Sequence, residues 1–307
     1  MKLTIAWSEK GREIMKKELS EQKFAWIIIL PALLIVFGIV VYPLVRTFIY
    51  TFQDMNLSLG GTGEFIGLAN YATILGDEYF WKTVGRTAYF SLVSIALELI
   101  LGITIALLLN ENFRGKSFLI AIIIVPWAVP NIVSSSMWKW IYHPEYGALN
   151  ALLMQLSIID EYKSWLGTPL QAMNMVIIAD VWKMTPLVVI FMLSALKLTN
   201  KSVYEASVVD GAGLLKRFFH ITLPYLKPMI LVIVVMRTME TFKVFDLIYV
   251  LTRGGPANGT MVLGYQAYTE VFENLNYSSG ATYSYLIALL IVLLTVAYIK
   301  VLKRKET

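Results

Sequence analysis

Arg237, Glu240 and Thr241 stand inside an apolar stretch, 229–252. At about 100° per residue they fall within roughly 100° of arc on one helix. Asp180 and Lys183 repeat the arrangement three residues apart in a second apolar stretch, 172–196, and Glu98 is the lone acid of a third, 87–109. An ionisable side chain in such surroundings must pair with another or face a polar cavity. Three chemistries use residues of this kind: ion pairs that brace neighbouring helices, a polar wall along which a solute passes, or a site for a coupling proton or ion. Asp180 and Lys183 share a helix face and can pair with each other or with 229–252. Glu98 admits both the bracing and the path-lining reading. Lys243 and Asp246 read as structural, near the outer boundary, and on a continuous helix Asp246 falls nearly opposite Arg237.

Covalent and hydrolytic chemistry is excluded. There is no cysteine, and His143 and His220 are too far apart to form a motif, so neither a zinc site nor a serine–histidine–acid arrangement can be assembled from the pattern. A stretch at 110–117, "NENFRGKS", has Asn110 where a phosphate-binding loop requires its first glycine, and no strand precedes it. ATP hydrolysis, if it drives this protein, must belong to another chain. Trp127, Trp138, Trp140 and Trp182 offer ring faces, although interfacial and packing tryptophans are commoner.

The elements that hold these side chains follow from composition. Hydrophobic residues make up 57% of 307 positions and charged residues only 15%, against about 45–50% and 25% in soluble domains. This is the balance of a polytopic membrane protein. The net charge of +5 reflects loops between apolar runs, so nucleic acid is not an expected partner. A spanning helix needs about 20 apolar residues. Six stretches qualify: 24–45, 87–109, 118–138, 172–196, 229–252 and 281–299. Residues 1–23 are polar and of mixed charge rather than a cleavable signal. At about 2.5–3.5 kcal/mol for each central charge, the four charges of 229–252 cost roughly 10–14 kcal/mol, so that helix cannot face lipid all round. Pro43, Pro126, Pro130 and Pro186, inside or near spans, predict kinks that neighbouring helices tolerate.

An even number of spans puts both termini on one side. Seventeen Lys and Arg fall on that side and five on the other, which makes the termini cytoplasmic and places 46–83, 139–171 and 253–280 outside. The expected organisation is a cytoplasmic segment 1–23, a six-span domain 24–302 with a cytoplasmic loop at 198–228, and a tail 303–307.

That loop contains "EASVVDGAGLLKRFFHITLP" at 205–224. Asn200 or Ser202 can cap a helix, Glu205 falls in its first turn, and Gly211 or Gly213 permits a reversal. A second amphipathic helix, 214–221, is expected to end at Leu223-Pro224. Glu205, Ala206 and Ser207, then Asp210, Gly211 and Ala212, then Phe218, Ile221, Leu223 and Pro224 resemble the EAA signature of ABC-importer permeases at every spacing, with Ser207 as the one departure. "FIGLANY", "VPWAVPNIVSSSMWKWIYHPEYGALN" and "FKVFDLIYVLTRGGPANGT" extend the resemblance along nearly the whole chain to the carbohydrate-uptake branch, and to the first of its two paired permeases; "VWKMTP" and "RTMETF" look most like trehalose and maltose members.

The resemblance implies an all-α, six-span type I ABC-importer fold in a prokaryotic plasma membrane. It also implies a second permease subunit, two ATP-binding subunits carrying ATP and Mg, and an extracytoplasmic sugar-binding protein. The signature loop would be the coupling helix that enters a cleft of the ATPase, and its residues have suitable physics. Ala206, Ser207 and Ala212 are small enough for close approach, Glu205 can pair with a basic group, and Gly211 sets the turn. Asp180, Lys183, Met184, Leu187, Arg237, Glu240 and Thr241 match sugar-contacting positions of the maltose system, with almost none keeping the same residue type. The rival reading is a secondary, ion-coupled transporter or channel, which has no need of the 205–224 pattern and would work without ATP. A membrane anchor without transport leaves the charges of 229–252 unexplained.

Overall fold

A computed structural model describes residues 21–199 and 201–303. Helix α1 (Glu21–Ile35) continues through a π turn, Val36–Val41, into α2 (Tyr42–Tyr50). A loop leads to the short α3 (Ala69–Gly76) and the long α4 (Glu78–Asn110). Helices α5 (Lys116–Ala128) and α6 (Asn131–Ile141) meet at 94°. The short α7 (Ala148–Gln155) precedes the second long helix, α8 (Pro169–Lys197). The polar insert forms α9 (Lys201–Val209) and α10 (Leu214–Arg217), and a π turn, Phe218–Thr222, joins α10 to α11 (Leu223–Phe242). The chain closes with α12 (Asp246–Leu251), α13 (Leu263–Phe272) and α14 (Tyr277–Lys303).

Among the described residues, five helical runs are long and apolar enough to cross a membrane, and the bent α5–α6 pair makes six. Helices α4 and α8 form the centre. Lipid tails are as apolar as leucine, so close packing rather than water exclusion must hold such helices together. Gly102 shows the consequence: a Cβ there would fall 2.4 Å from Val188 Cγ1, so the absent side chain is what lets α4 and α8 approach. Ala106, Val188, Met192, Leu226 and Ile233 fill the core at one end of this pair, and Phe90, Val176, Ile177 and Ile248 fill it at the other. Helix α14 holds α2 through Tyr285, whose hydroxyl donates to the Leu44 carbonyl at 2.5 Å.

The structure corrects several expectations. The run 118–138 is not one straight span but two helices broken at Val129-Pro130, because Pro130 has no N–H and forces the preceding residue out of the helical region. The run 229–252 is displaced: its helix begins upstream, as part of Leu214–Phe242, and stops at Lys243. Asp246 starts a separate helix, so the wheel that set it opposite Arg237 does not apply. Leu223-Pro224 does not end the helix begun at Leu214. The π turn before Pro224 widens the backbone where the ring would press on the preceding carbonyl, and the helix continues. The same device precedes Pro43. Glu205 is the fifth residue of α9 rather than in its first turn, and Ser202 lies inside that helix instead of capping it. Asn200, the tail beyond 303 and most of the 1–23 segment lie outside the described residues.

Candidate functional site

Arg237 is the hub of the transmembrane charges. Its Nε and Nη2 donate to Glu98 Oε2 and Oε1, both at 2.7 Å, Nη2 also donates to Asp180 Oδ2 at 2.7 Å, and Nη1 donates to Glu240 Oε2 at 2.6 Å. Four of its five N–H donors are thereby used. Glu98 comes from α4, Asp180 from α8 and Glu240 from the next turn of α11, so one guanidinium ties three helices. Exposure rises across the cluster: 0% at Glu98, 2% at Arg237, 12% at Asp180 and 41% at Glu240. The Glu98 side is sealed and the Glu240 side is open.

The open side faces a cavity of about 530 Å³ whose wall includes Asp180, Lys183, Met184, Arg237, Glu240 and Trp127. That volume lies within the roughly 300–1,000 Å³ of small-molecule sites. Lys243 and Asp246, expected to be structural, are also on the wall, with Asn131. Three acids and three bases thus line one space. The two helix breaks are the reason. The α5–α6 bend turns the Val129 carbonyl out of its helix, where Lys183 Nζ donates to it, and brings Asn131 Nδ2 to donate to Asp246 Oδ2 at 2.8 Å. The end of α11 at Lys243 lets Asp246 return to the side that Arg237 occupies. Carboxylates and ammonium groups around a half-open cavity with one aromatic face suit hydrogen bonding to a neutral polar solute.

Not every matched position reaches this space. Thr241 is buried, sharing a 2.7 Å hydrogen bond with Ser91 Oγ and donating to the Arg237 carbonyl at 2.9 Å, and Leu187 is half-buried outside the lining. Trp138 and Trp182 pack edge to face at 5.6 Å, and Trp140 is exposed away from the cavity. In the sequence alone Glu98 admits both a bracing and a path-lining role. Its only signal was its isolation in an apolar run, and the partner lies 139 residues away.

At the other pole, Gly211 adopts φ +72°. Its N–H donates to the Val208 carbonyl at 3.0 Å and that of Ala212 to the Ser207 carbonyl at 2.9 Å. These two bonds make a Schellman ending for α9, which glycine adopts without strain. Gly213 does not share that role; it precedes α10 with φ −67°. The Ser207 side chain, expected to permit close approach of a partner, is turned inward instead: it is buried and its Oγ donates to the Tyr204 carbonyl at 2.6 Å. Tyr204 in turn meets Thr222 Oγ1 at 2.5 Å, which braces the loop on the base of α11. Outward lie Glu205, Ala206, Asp210, Val208, Val209 and Leu214. The insert is therefore a knob with an apolar patch and two acids outward, fixed to the helix that carries Arg237.

A family model described as binding-protein-dependent transport system inner membrane component matches residues 98–304. The chain belongs to that family. This permease is 38% identical over 287 residues to a trehalose/maltose transport system permease protein of Thermococcus litoralis, covering 93% of this chain and 96% of that one. It is 31% identical to a trehalose transport system permease protein of Mycobacterium tuberculosis, covering 92% and 89%. Among solved structures it superposes on a bacterial ABC transporter involved in import of the acidic polysaccharide alginate with TM-score 0.81 and 19% identity, over 96% of this chain and all of that one. The permease fold and the inner-membrane transport role are thereby established.

Proposed function

We propose that this permease forms half of the translocation path of an ATP-driven importer for a di- or oligosaccharide such as trehalose or maltose. The observation that carries the reading is the cavity at Asp180, Lys183, Arg237 and Glu240, read with the names of the trehalose and maltose relatives. Asp180 and Glu240 would accept hydrogen bonds from sugar hydroxyls, Lys183 and Lys243 would donate them, and Trp127 would cover a sugar face. In this reading a second permease subunit completes the path and an extracytoplasmic binding protein delivers the sugar. Two ATP-binding subunits, with ATP and Mg, clasp the coupling loops. Helix α11 is continuous with α10, so a displacement of the loop would move Arg237 and Glu240 directly.

The test is uptake of labelled trehalose and maltose by proteoliposomes holding this chain with its partner permease, ATPase and binding protein. Accumulation is expected only with both ATP and binding protein. Accumulation that persists without ATP would instead support an ion-coupled carrier.

We also propose that the coupling loop and both termini are cytoplasmic. The chain is cysteine-free, so single cysteines report cleanly. One at Ser202 is expected to react with an impermeant thiol reagent only in inverted vesicles, and one at Asn258 only in intact cells. Reaction of both from one side would overturn this topology.

A further inference from the structure

The end of α4 remote from the coupling loop carries a second cavity, of about 430 Å³, which transport through the Arg237 region does not use. Lys82 and Arg86, one turn apart on α4, stand on one wall. Leu170 and Met173 of α8 form another, closed by the backbone of Gly259. Gly259 has to be glycine for this wall to exist, because a Cβ would fall 2.4 Å from Pro169 Cβ.

Arg86 is the anomaly. Its Nη1 is shielded from solvent and has no hydrogen-bond partner, and among the described residues no carboxylate pairs with it. Its guanidinium lies over the Tyr79 ring at 5.8 Å. The contrast with Arg237, which makes four charge-assisted bonds, is sharp. A shielded donor left without an acceptor is destabilising, the more so on a charged group. The rest of the guanidinium lines the cavity, where an acceptor from outside this chain can meet it.

The depth of the cavity says which. Helix α4 has 33 residues, about 50 Å at 1.5 Å per residue, well beyond the roughly 30 Å hydrocarbon thickness. Its far end, at Asn110, opens on the cleft beside the coupling loop. Its first twelve residues carry Glu78, Lys82 and Arg86 with Tyr79, Trp81 and Tyr89, the mixture of charge and amphipathic aromatics found at headgroup level. A cation pair at headgroup depth beside an exposed Leu170 fits a molecule with an anionic head and an apolar tail. A lone carboxylate from a protein partner would satisfy Arg86 but leave the apolar wall bare.

We propose that this cavity binds the phosphate of a phospholipid in the leaflet away from the coupling loop. Arg86 is its forked donor, Lys82 shares its charge with Glu78 at 2.8 Å and with the phosphate, and Leu170 lies along the upper acyl chain.

Native mass spectrometry of the delipidated, assembled transporter titrated with phosphatidylglycerol tests this. Wild type is expected to retain one lipid per copy of this chain, to ignore phosphate-free diacylglycerol, and to keep its lipid in millimolar inorganic phosphate. Arg86→Gln is expected to weaken binding about tenfold or more. Arg86→Lys, which keeps charge but loses the fork, should fall between, so a misfolded Gln variant would not remove the test. Equal lipid retention by all three proteins overturns the proposal. So does displacement by inorganic phosphate, which would mark a free-anion site. Absence of retained lipid, with Arg86→Gln weakening capture of the binding protein, would overturn it in favour of a protein carboxylate.

Discussion

Arg237→Met alone is expected to leave the permease poorly assembled, whereas Arg237→Met combined with Glu98→Met and Asp180→Leu, which leaves no unpartnered polar group in the shielded part of the cluster, should assemble and yet fail to transport. The single substitution strands three carboxylates, one of them with no exposed surface. Removing one partner of a buried ion pair costs about 3–5 kcal/mol because the remaining charge is uncompensated. Removing Glu240 together with Arg237 is not the neutralising change, since Glu98 and Asp180 would remain and Glu240 is the member that water already reaches. The triple variant takes away both shielded charges with the cation, and a neutral packed substitute often replaces such a cluster at little cost. Yield of monodisperse complex and retention of the ATPase measure assembly; labelled-sugar uptake measures the path. Normal assembly of the single variant would reject the cluster as a brace, and near-normal uptake by the assembled triple variant would reject its part in the sugar path.

Gly211→Val should abolish uptake and co-purification of the ATPase while the permease inserts and its transmembrane core stays intact. A β-branched residue at φ +72° faces a left-handed backbone penalty of roughly 1–2 kcal/mol or more. Relieving it dismantles the Schellman bonds that aim the exposed Val208, Val209 and Leu214 outward. Gly211→Asn, which tolerates this conformation, should keep most of the uptake. Glu205→Lys reverses a charge on the same exposed face and should also uncouple, without altering the turn. Uptake at the wild-type rate with either Gly211→Val or Glu205→Lys would sink the coupling assignment.

What the linear sequence determined are the properties that each residue carries with it. Roughly twenty apolar residues in a row must lie in lipid or in a core, so the membrane class and the existence of the spans were legible. Gly211 is the residue that reverses the chain because the left-handed region is closed to most side chains at any location. Charges inside apolar runs have to find partners or a polar cavity, which marks Arg237 and Glu240 in the sequence. Tertiary structure alone decided which partners. Glu98 reaches Arg237 across 139 residues and Asp180 across 57, and no spacing along one helix encodes a distance between two. A hydropathy average sums transfer costs without direction, so it passed over the breaks at Val129-Pro130 and at Lys243. Those breaks bring Asp246 and Lys243 to the cavity and hand the Val129 carbonyl to Lys183. Ser207 and Thr241, alike small and polar on paper, were turned inward by the neighbours they met. A side chain's type sets what it can bond, but packing sets what is within about 3 Å of it.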